Sequence, residues 1–377
     1  MRFLRSAVFL ICSSAAFAQP HHWTEAEAKE WYAKQPWLVG ANYVPAFAEN
    51  QLEMWQADTF DPVLMDRELG WAEGIGFNTL RVFLHDLPWN KDASAFEHRI
   101  NTFLKLCDKH HIRPILVLFD SVWNPFPEPG PQQAPRPGIH NSRWVQSPGA
   151  NVLRDPNQFQ RALEYVQKII LDFSRDKRIL AWDVWNEPEN PNEGSYGKEE
   201  IANKSQLVAT LLPRVFEYAR AGVGSQPLTS GLWTGDDWSN MDKLTPIQKI
   251  QLENSDIISF HNYEGPANFE KHVVSLEKYQ RPIFCTEYMA RPRGSTFQAI
   301  LPIAKKYNVA AYNWGLVQGK SQTYLPWDSW QHPYVNKQPD VWFHDVFKAN
   351  GVPYSPEEVA FIRQITGRGS KAKGAAK

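Results

Sequence analysis

Two glutamates stand where they could act together on one bond. Glu187 ends an apolar run within residues 183–188 (DVWNEP), and Glu287 ends another within residues 285–288 (CTEY). Acetal hydrolysis requires two carboxyl groups across a cleft, because one donates a proton to the leaving oxygen while the other attacks or stabilises the carbon. Each segment also has a simpler interpretation. The first could be a strand-end carboxylate stopped by a turn-forming proline, and the second a half-buried glutamate paired with an arginine.

The elements that must position these glutamates alternate along the chain. Helical patterns occur at residues 62–74, 95–110, 158–174 and 205–221. Eight short apolar runs predict buried strands, at residues 37–43, 79–84, 114–119, 179–185, 227–233, 257–263, 282–288 and 309–316. Such alternation predicts parallel pairing, and eight units are the number that closes a (β/α)8 TIM barrel of the α/β class. A doubly wound open sheet is the alternative.

The N-terminus reads as an export signal. Arg2 and Arg5 precede an apolar run, and Ala16-Phe17-Ala18 has the small-x-small pattern of a cleavage site. We therefore predict a signal peptide at 1–18, cleaved after Ala18, and a secreted or periplasmic protein; a buried N-terminal helix is the alternative. Lipid anchoring at Cys12 is disfavoured because a bulky isoleucine precedes it. One barrel domain is predicted at 19–367 and a disordered basic tail at 368–377.

Composition excludes several other classes of protein. The chain has 40 basic and 41 acidic side chains, without the basic excess of a nucleic-acid-binding protein. No run of about 18 apolar residues predicts a membrane span. Neither paired histidines on one helix face nor cysteines at zinc spacing occur, so no metal or other cofactor is expected. We expect a monomer whose partner is a carbohydrate.

The strand-end residues resemble the retaining β-glycosidases of glycoside hydrolase clan A, and most closely family 5, the cellulase-like family. The resemblance extends over nearly the whole mature chain. It implies that Glu187 is the acid/base and Glu287 the nucleophile of a double displacement. It further implies that five residues support them: Arg81 beside the nucleophile, Asn186 at the sugar 2-hydroxyl, His261 and Tyr263 on the sixth strand, and Trp314 as the floor of the reacting sugar's subsite.

The resemblance also implies opposite environments for the two glutamates. Arg81 and the Tyr263 hydroxyl should keep Glu287 ionised, while partial desolvation should raise the pKa of Glu187, with His261 as a tuner. The two carboxyl groups are expected about 5–5.5 Å apart, the separation of retaining enzymes.

One departure leaves the substrate open. Many family members have a histidine at the end of strand three, where this chain has Phe119, Asp120 and Ser121. A β-glucan or β-mannan is the expected substrate class; an exo-acting β-mannosidase or β-glucosidase, a transglycosylase and a non-catalytic carbohydrate-binding barrel are the alternatives. His85 and Asp86 follow strand two and are candidates to bind sugar hydroxyls, unless they form a solvated loop.

Two long loops carry tryptophans that are suited to stacking on sugar rings. They span residues 120–157 and 318–345 and follow the third and eighth predicted strands, and they contain Trp123, Trp144, Trp327 and Trp330. Aromatic side chains on both loops favour several successive subsites and hence cleavage within a polysaccharide. Release of single sugars from a chain end is the alternative.

Overall fold

The computed structural model describes residues 21–368. The predicted signal peptide at 1–18 and the predicted tail beyond residue 368 lie outside this part of the chain. Within it, no helix has the length and apolar character needed to cross a membrane.

Eight parallel strands form the predicted barrel. They are β1 (Val39–Asn42), β2 (Thr79–Phe83), β3 (Arg113–Val117), β4 (Ala181–Asp183), β5 (Leu228–Thr229), β6 (Ile258–His261), β7 (Ile283–Tyr288) and β8 (Ala310–Asn313). The strand order is β5-β4-β3-β2-β1-β8-β7-β6. Because β1 pairs with β8, the doubly wound alternative is wrong. Leu232, just beyond β5, closes the circle: its amide donates to Ser259 (2.9 Å) and its carbonyl accepts from the amide of His261 (2.8 Å).

Helices alternate with the strands and cover the outside of the barrel. They are α1 (Glu25–Ala33), α2 (Gln51–Trp55), α3 (Pro62–Gly74), α4 (Asp86–Lys91), α5 (Ala93–Lys109), α6 (Ala150–Arg154), α7 (Phe159–Asp172), α8 (Lys204–Gly222), α9 (Pro246–Asn254), α10 (Pro266–Glu277), α11 (Phe297–Lys306) and α12 (Pro356–Ile365). The predicted helix at 62–74 has these bounds because Asp61 accepts hydrogen bonds from the amides of Val63 and Leu64 and Pro62 occupies the first turn.

The strands are buried along almost their whole length, as expected for a parallel sheet covered on both faces. Apolar side chains fill the lower part of the barrel. Near the carboxyl ends of the strands the interior becomes polar, with Asn42, Arg81 and Asp183 all 2% exposed or less. Such groups are stable there only when hydrogen-bonded, so this end of the barrel must contain a connected polar network.

Irregular pairing occurs where this network begins. The register between β7 and β8 shifts between Cys285 and Tyr288, and that between β6 and β7 shifts between Phe260 and His261. Such irregularities re-aim side chains and are frequent beside active sites. Here they occur in the parts of β6 and β7 that carry His261 and Glu287.

Candidate active site

Glu187 and Glu287 both face a cavity of about 600 Å³ at the carboxyl ends of the strands. Glu287 lies near the end of β7, and Glu187 lies in the turn that follows β4. The backbone of Glu187 has a φ of 41°, in the left-handed region that non-glycine residues seldom adopt. The Asn190 amide closes this turn by donating to the Glu187 carbonyl (3.0 Å). Backbone strain of this kind is most frequent at functional sites, where the surrounding residues stabilise the strained conformation.

The two carboxylates are close together. One oxygen of Glu187 and one of Glu287 lie within 4.8 Å of each other, and both are within that distance of a His261 ring nitrogen. Nδ1 of His261 is 2.9 Å from Oε1 of Glu187 and 3.5 Å from Oε2 of Glu287. The fourth and seventh strands therefore bring their glutamates together across the barrel mouth.

A buried arginine organises the floor of the site. Arg81, on β2, is fully buried. It donates to Glu287 Oε1 (2.8 Å), to Asn42 and Asn186, and twice to Asp183 Oδ2 (3.0 and 2.7 Å). These five bonds occupy every N–H of the guanidinium, which fixes its plane. Arg81 does not line the cavity, so it acts on a substrate only through Glu287 and Asn186.

The surroundings of Glu287 favour its ionised form more than those of Glu187 do. Burial raises the pKa of Glu287, while the charge of Arg81 and the hydrogen bond from Tyr263 act in the opposite direction. The Tyr263 hydroxyl donates to Oε2 of Glu287 at 2.6 Å, so both oxygens of this carboxylate accept a bond. A guanidinium in direct contact within a buried site stabilises the carboxylate form, so Glu287 should lose its proton first.

Glu187 has the environment of a proton donor. Burial raises its pKa to about 7, and the amide of Asn190, which donates to Oε2 at 2.6 Å, opposes that rise. Burial also lowers the pKa of His261 to about 4, so the ring beside Glu187 is neutral near pH 7. Both glutamates lie beside this neutral imidazole, but only Glu287 also contacts the Arg81 cation.

Asp120 stands at the end of strand three, where many members of the resembled family have a histidine, and it accepts a hydrogen bond from Asn186. Nδ2 of Asn186 donates to Asp120 Oδ1 (2.9 Å), while Oδ1 of Asn186 accepts from Arg81 (2.7 Å). Asp120 also accepts from Nε1 of Trp144 (2.5 Å) and from Gln51 (3.1 Å). With both ends of its amide fixed, Asn186 presents one orientation to the cavity. No pattern in the sequence indicates this role for Asp120.

The structure places most of the other predicted residues at the cavity. Asn186, His261, Tyr263 and Trp314 line it, as do Trp123, Trp144 and Trp327. The Trp314 ring packs edge-on against Phe83 (5.6 Å between centroids) and Trp144 (6.0 Å). These contacts leave little of Trp314 exposed and fix the ring beside the two glutamates. Trp330 lies behind this lining, with its ring 6.2 Å from that of Trp123.

The structure places His85 and Asp86, the two candidates to bind sugar hydroxyls, outside this cavity. Neither lines the cavity, and neither belongs to a solvated loop, since they are 0% and 3% exposed. Nδ1 of His85 accepts from the amide of Leu87 at the start of α4, and Asp86 accepts from Oγ of Ser147 (2.7 Å). His85 therefore caps α4, and Asp86 binds Ser147 in the loop after β3.

Three donors of this site could in principle hold a metal ion, namely Glu187, His261 and Glu287. The guanidinium of Arg81 already contacts Glu287, and Tyr263 donates to its other oxygen. A divalent cation would be repelled by the first and would have to displace the second, so the donor set fits a proton-transfer site better than a metal site.

Comparisons with known proteins support the fold. No family model matches the chain, and no curated protein is similar to it in sequence. Solved structures that share the barrel over 90% of this chain include the three described next. An exo-β-1,4-mannosidase, Op5Man5 from Opitutaceae bacterium strain TAV5, is 17% identical with a TM-score of 0.55. GH5_18 from Streptomyces cattleya, in complex with GlcNAc, is 10% identical (TM-score 0.56), and an endo-1,4-β-mannanase from Rhizomucor miehei is 12% identical (TM-score 0.54).

The matched share of these proteins differs. The chain covers 60% of the length of the mannosidase, 81% of GH5_18 and 96% of the mannanase. At such low identities the likeness establishes the barrel fold, which confirms the fold predicted from the alternation of strands and helices. The activity must be argued from the site itself.

Proposed function

We propose that this chain is a retaining β-glycosidase that hydrolyses β-linked mannans or oligosaccharides derived from them, with Glu187 as acid/base and Glu287 as nucleophile. One observation carries the proposal. Glu187, which is half-buried, and Glu287, which is buried, have oxygens within 4.8 Å of each other, and only Glu287 contacts an arginine. This closeness suits retaining enzymes, whose carboxyl groups are about 5–5.5 Å apart, better than inverting ones, where about 6.5–9.5 Å leaves room for water.

The reaction follows from these environments in two steps. Glu287, ionised beside Arg81, attacks the anomeric carbon while Glu187 protonates the oxygen of the departing sugar. A covalent glycosyl-enzyme results. Glu187, now a carboxylate, then removes a proton from water, which attacks the same carbon and releases Glu287. The sugar is released with its original configuration.

The substrate class rests on the solved structures as well as on the site. Those that share the barrel include proteins described as an exo-mannosidase and an endo-mannanase, and another is described as a β-glucosidase. The test is a panel of aryl β-glycosides and defined oligosaccharides of the manno and gluco series, with products separated by chromatography. We expect the highest kcat/KM in the manno series. A lack of cleavage in both series would contradict the proposal.

The pH dependence of kcat/KM should reflect Glu187. Because the first step needs protonated Glu187, whose pKa is raised to about 7, kcat/KM should fall about tenfold per pH unit above that value. Asn190 donates to the Glu187 carboxylate and lowers its pKa, so Asn190→Ala should move this alkaline limb to higher pH. Initial rates between pH 4 and 10 would measure both effects. A limb that moves to lower pH would contradict the assignment.

Trp314 should affect the chemical step as well as binding. If it supports the reacting sugar, Trp314→Ala should raise KM and lower kcat, with a total loss in kcat/KM of about 100-fold or ~2.7 kcal/mol. Trp37 provides the matched control, because its Nε1 donates to the Val309 carbonyl far from the cavity. Trp37→Ala should cost stability and leave kcat/KM of the folded enzyme unchanged. Equal kinetic losses in the two variants would remove Trp314 from the subsite.

A further inference from the structure

The cavity is asymmetric around the two glutamates. Its described lining comes from the segments after β3 to β8, and none comes from the segments after β1 and β2. Trp314, after β8, and Trp144, after β3, line it together, with their ring centroids 6.0 Å apart. Glu187 and Asn190, after β4, and Trp233 and Asp236, after β5, line the cavity as well. Because lining residues follow β4 to β6 and none follow β1 and β2, a bound chain would extend from Glu187 toward the β4 to β6 side of the barrel.

A clamp between two loops closes the other side. We use "clamp" for residues 136–142 of the loop after β3 together with residues 321–334 of the loop after β8. The side chain of Gln322 accepts from the Gly138 amide (3.0 Å) and donates to the carbonyls of Arg136 (2.8 Å) and Ile139 (3.0 Å). The amide of Tyr334 donates to the Gly138 carbonyl at 2.9 Å.

His140 and Asn141 fasten the inner edge of the clamp, where both residues line the cavity. The His140 amide donates to Oγ of Ser329 (2.9 Å), and its Nδ1 lies 2.8 Å from the Leu325 carbonyl. The Asn141 amide donates to the Ser321 carbonyl (2.8 Å). Hydrogen bonds at this many points along the two loops should keep the clamp closed during substrate binding.

The two loops that form the clamp rest on the segment after β1. Asn50 and Gln51 are each 1% exposed. Their side chains donate to the carbonyls of Arg143 (2.9 Å) and Val145 (3.0 Å), and the amide of Lys320 donates to Ala46 (3.0 Å). These bonds join the segment after β1 to both loops, so a second sugar placed between them would have to displace these contacts.

The acid/base defines which end of the substrate meets the clamp. Glu187 protonates the oxygen of the leaving group, so the leaving group lies on its side, toward Asn190 and Trp233. The sugar attacked by Glu287 then lies against Trp314 and Trp144, with its non-reducing end toward the clamp. We propose that the clamp limits this side to one sugar and makes the enzyme exo-acting, so that it releases single sugars from non-reducing ends.

This inference rests on the proposed function and names its mode of cleavage. It reverses the expectation of internal cleavage drawn from the tryptophans of the two loops. The reason is that these loops join each other over one end of the cavity, whereas separate walls would have left a groove open at both ends.

The test uses a β-linked manno-pentasaccharide with a fluorophore at its reducing end, and a second sample in which the terminal non-reducing sugar carries a bulky cyclic acetal. We expect labelled products to shorten by one sugar at a time, and kcat/KM to fall by at least roughly 100-fold for the blocked sample. Equal cleavage of both samples, with internal fragments, would overturn the exo assignment and leave the glycosidase standing. No cleavage of either sample or of aryl β-glycosides would overturn the proposed function itself.

Two glycine variants test the clamp directly. Gly138 has a φ of 74°, and a Cβ there would lie 2.6–2.7 Å from backbone atoms of Tyr334 and Val335, so Gly138→Ala must force the loops apart. Gly130, in the same loop with a φ of 98°, has no atom within 4 Å of that position, so Gly130→Ala adds backbone strain without the clash. Gly138→Ala should raise cleavage of the blocked substrate at least about tenfold relative to its activity on an aryl glycoside.

In Gly130→Ala, the ratio of activity on the blocked substrate to activity on an aryl glycoside should equal that of the unmodified enzyme. An unchanged ratio in a folded Gly138→Ala protein would overturn the role of the clamp. If that variant does not fold, the comparison of blocked and free pentasaccharide with the unmodified enzyme decides the matter alone.

Discussion

Glu287→Ala should lower kcat/KM by about 10⁵-fold on every substrate, whatever its leaving group, because no other group can form the covalent bond. Azide should restore part of the activity by entering the space that the carboxylate leaves. The product should be a glycosyl azide of inverted configuration, because the anion attacks directly from the nucleophile's face. Rates with aryl glycosides and proton NMR of the azide product would measure this.

Glu264→Ala is the matched control for this experiment. Glu264 lines the same cavity, but its side chain is 49% exposed and paired with Arg293. Its loss should change kcat/KM far less and should not make the reaction depend on azide. If Glu287→Ala retained more than about 1% of the activity without azide, Glu287 would not be the nucleophile.

Glu187→Ala should produce a loss that depends on the leaving group. General acid catalysis contributes about 10²–10⁴-fold, so the loss should approach the upper value for a manno-oligosaccharide, whose leaving sugar needs a proton. For a dinitrophenyl glycoside, whose leaving group departs without a proton, the first step should be almost unaffected. Azide should accelerate release and give a glycosyl azide of retained configuration, because it attacks the glycosyl-enzyme.

Comparison of the two variants on the same substrates shows whether the acid/base and nucleophile roles are assigned to the correct glutamates. If Glu187→Ala gave the inverted azide and Glu287→Ala the retained one, the acid/base and the nucleophile would have to be exchanged. Glu193→Ala, at the edge of the same cavity, removes a carboxylate from the open side and should show no dependence on the leaving group.

The barrel could be predicted because its signals are local. All eight predicted strands are present, and the helix at Pro62–Gly74 has the predicted bounds because its cap and its proline are adjacent in sequence. Glu187 and Glu287 could be placed together for a related reason. The carboxyl ends of parallel strands meet at one rim, so a strand assignment alone brings their side chains to a common cavity.

The loops could not be predicted, because their structure depends on partners far away in sequence. Gln322 reaches back to Arg136 and Ile139, and His140 reaches to Leu325, so neither loop alone indicates that they form a clamp. The positions of His85 and Asp86 could not be predicted, because His85 caps α4, a helix of six residues that is too short to produce a periodic pattern.

Asp120 shows a third kind of limit. It differs from the residue expected at the end of strand three, and its meaning becomes clear only when Asn186, Trp144 and Gln51 are seen to converge on it. A buried acid with three side-chain donors is a positional feature that composition and periodicity do not encode. The export signal at 1–18 and the resulting location outside the cytoplasm remain predictions.

The central claim is that Glu287 forms a covalent bond with the sugar, and mass spectrometry of the Glu187→Ala variant tests it most directly. In this variant a dinitrophenyl β-mannoside or β-glucoside can still transfer its sugar to the enzyme, while hydrolysis is slowed because the base is missing. The account predicts that the protein gains the mass of one hexosyl unit, located by digestion on the peptide that contains Glu287. Substrate turnover with no adduct, or an adduct on any other residue, would contradict it.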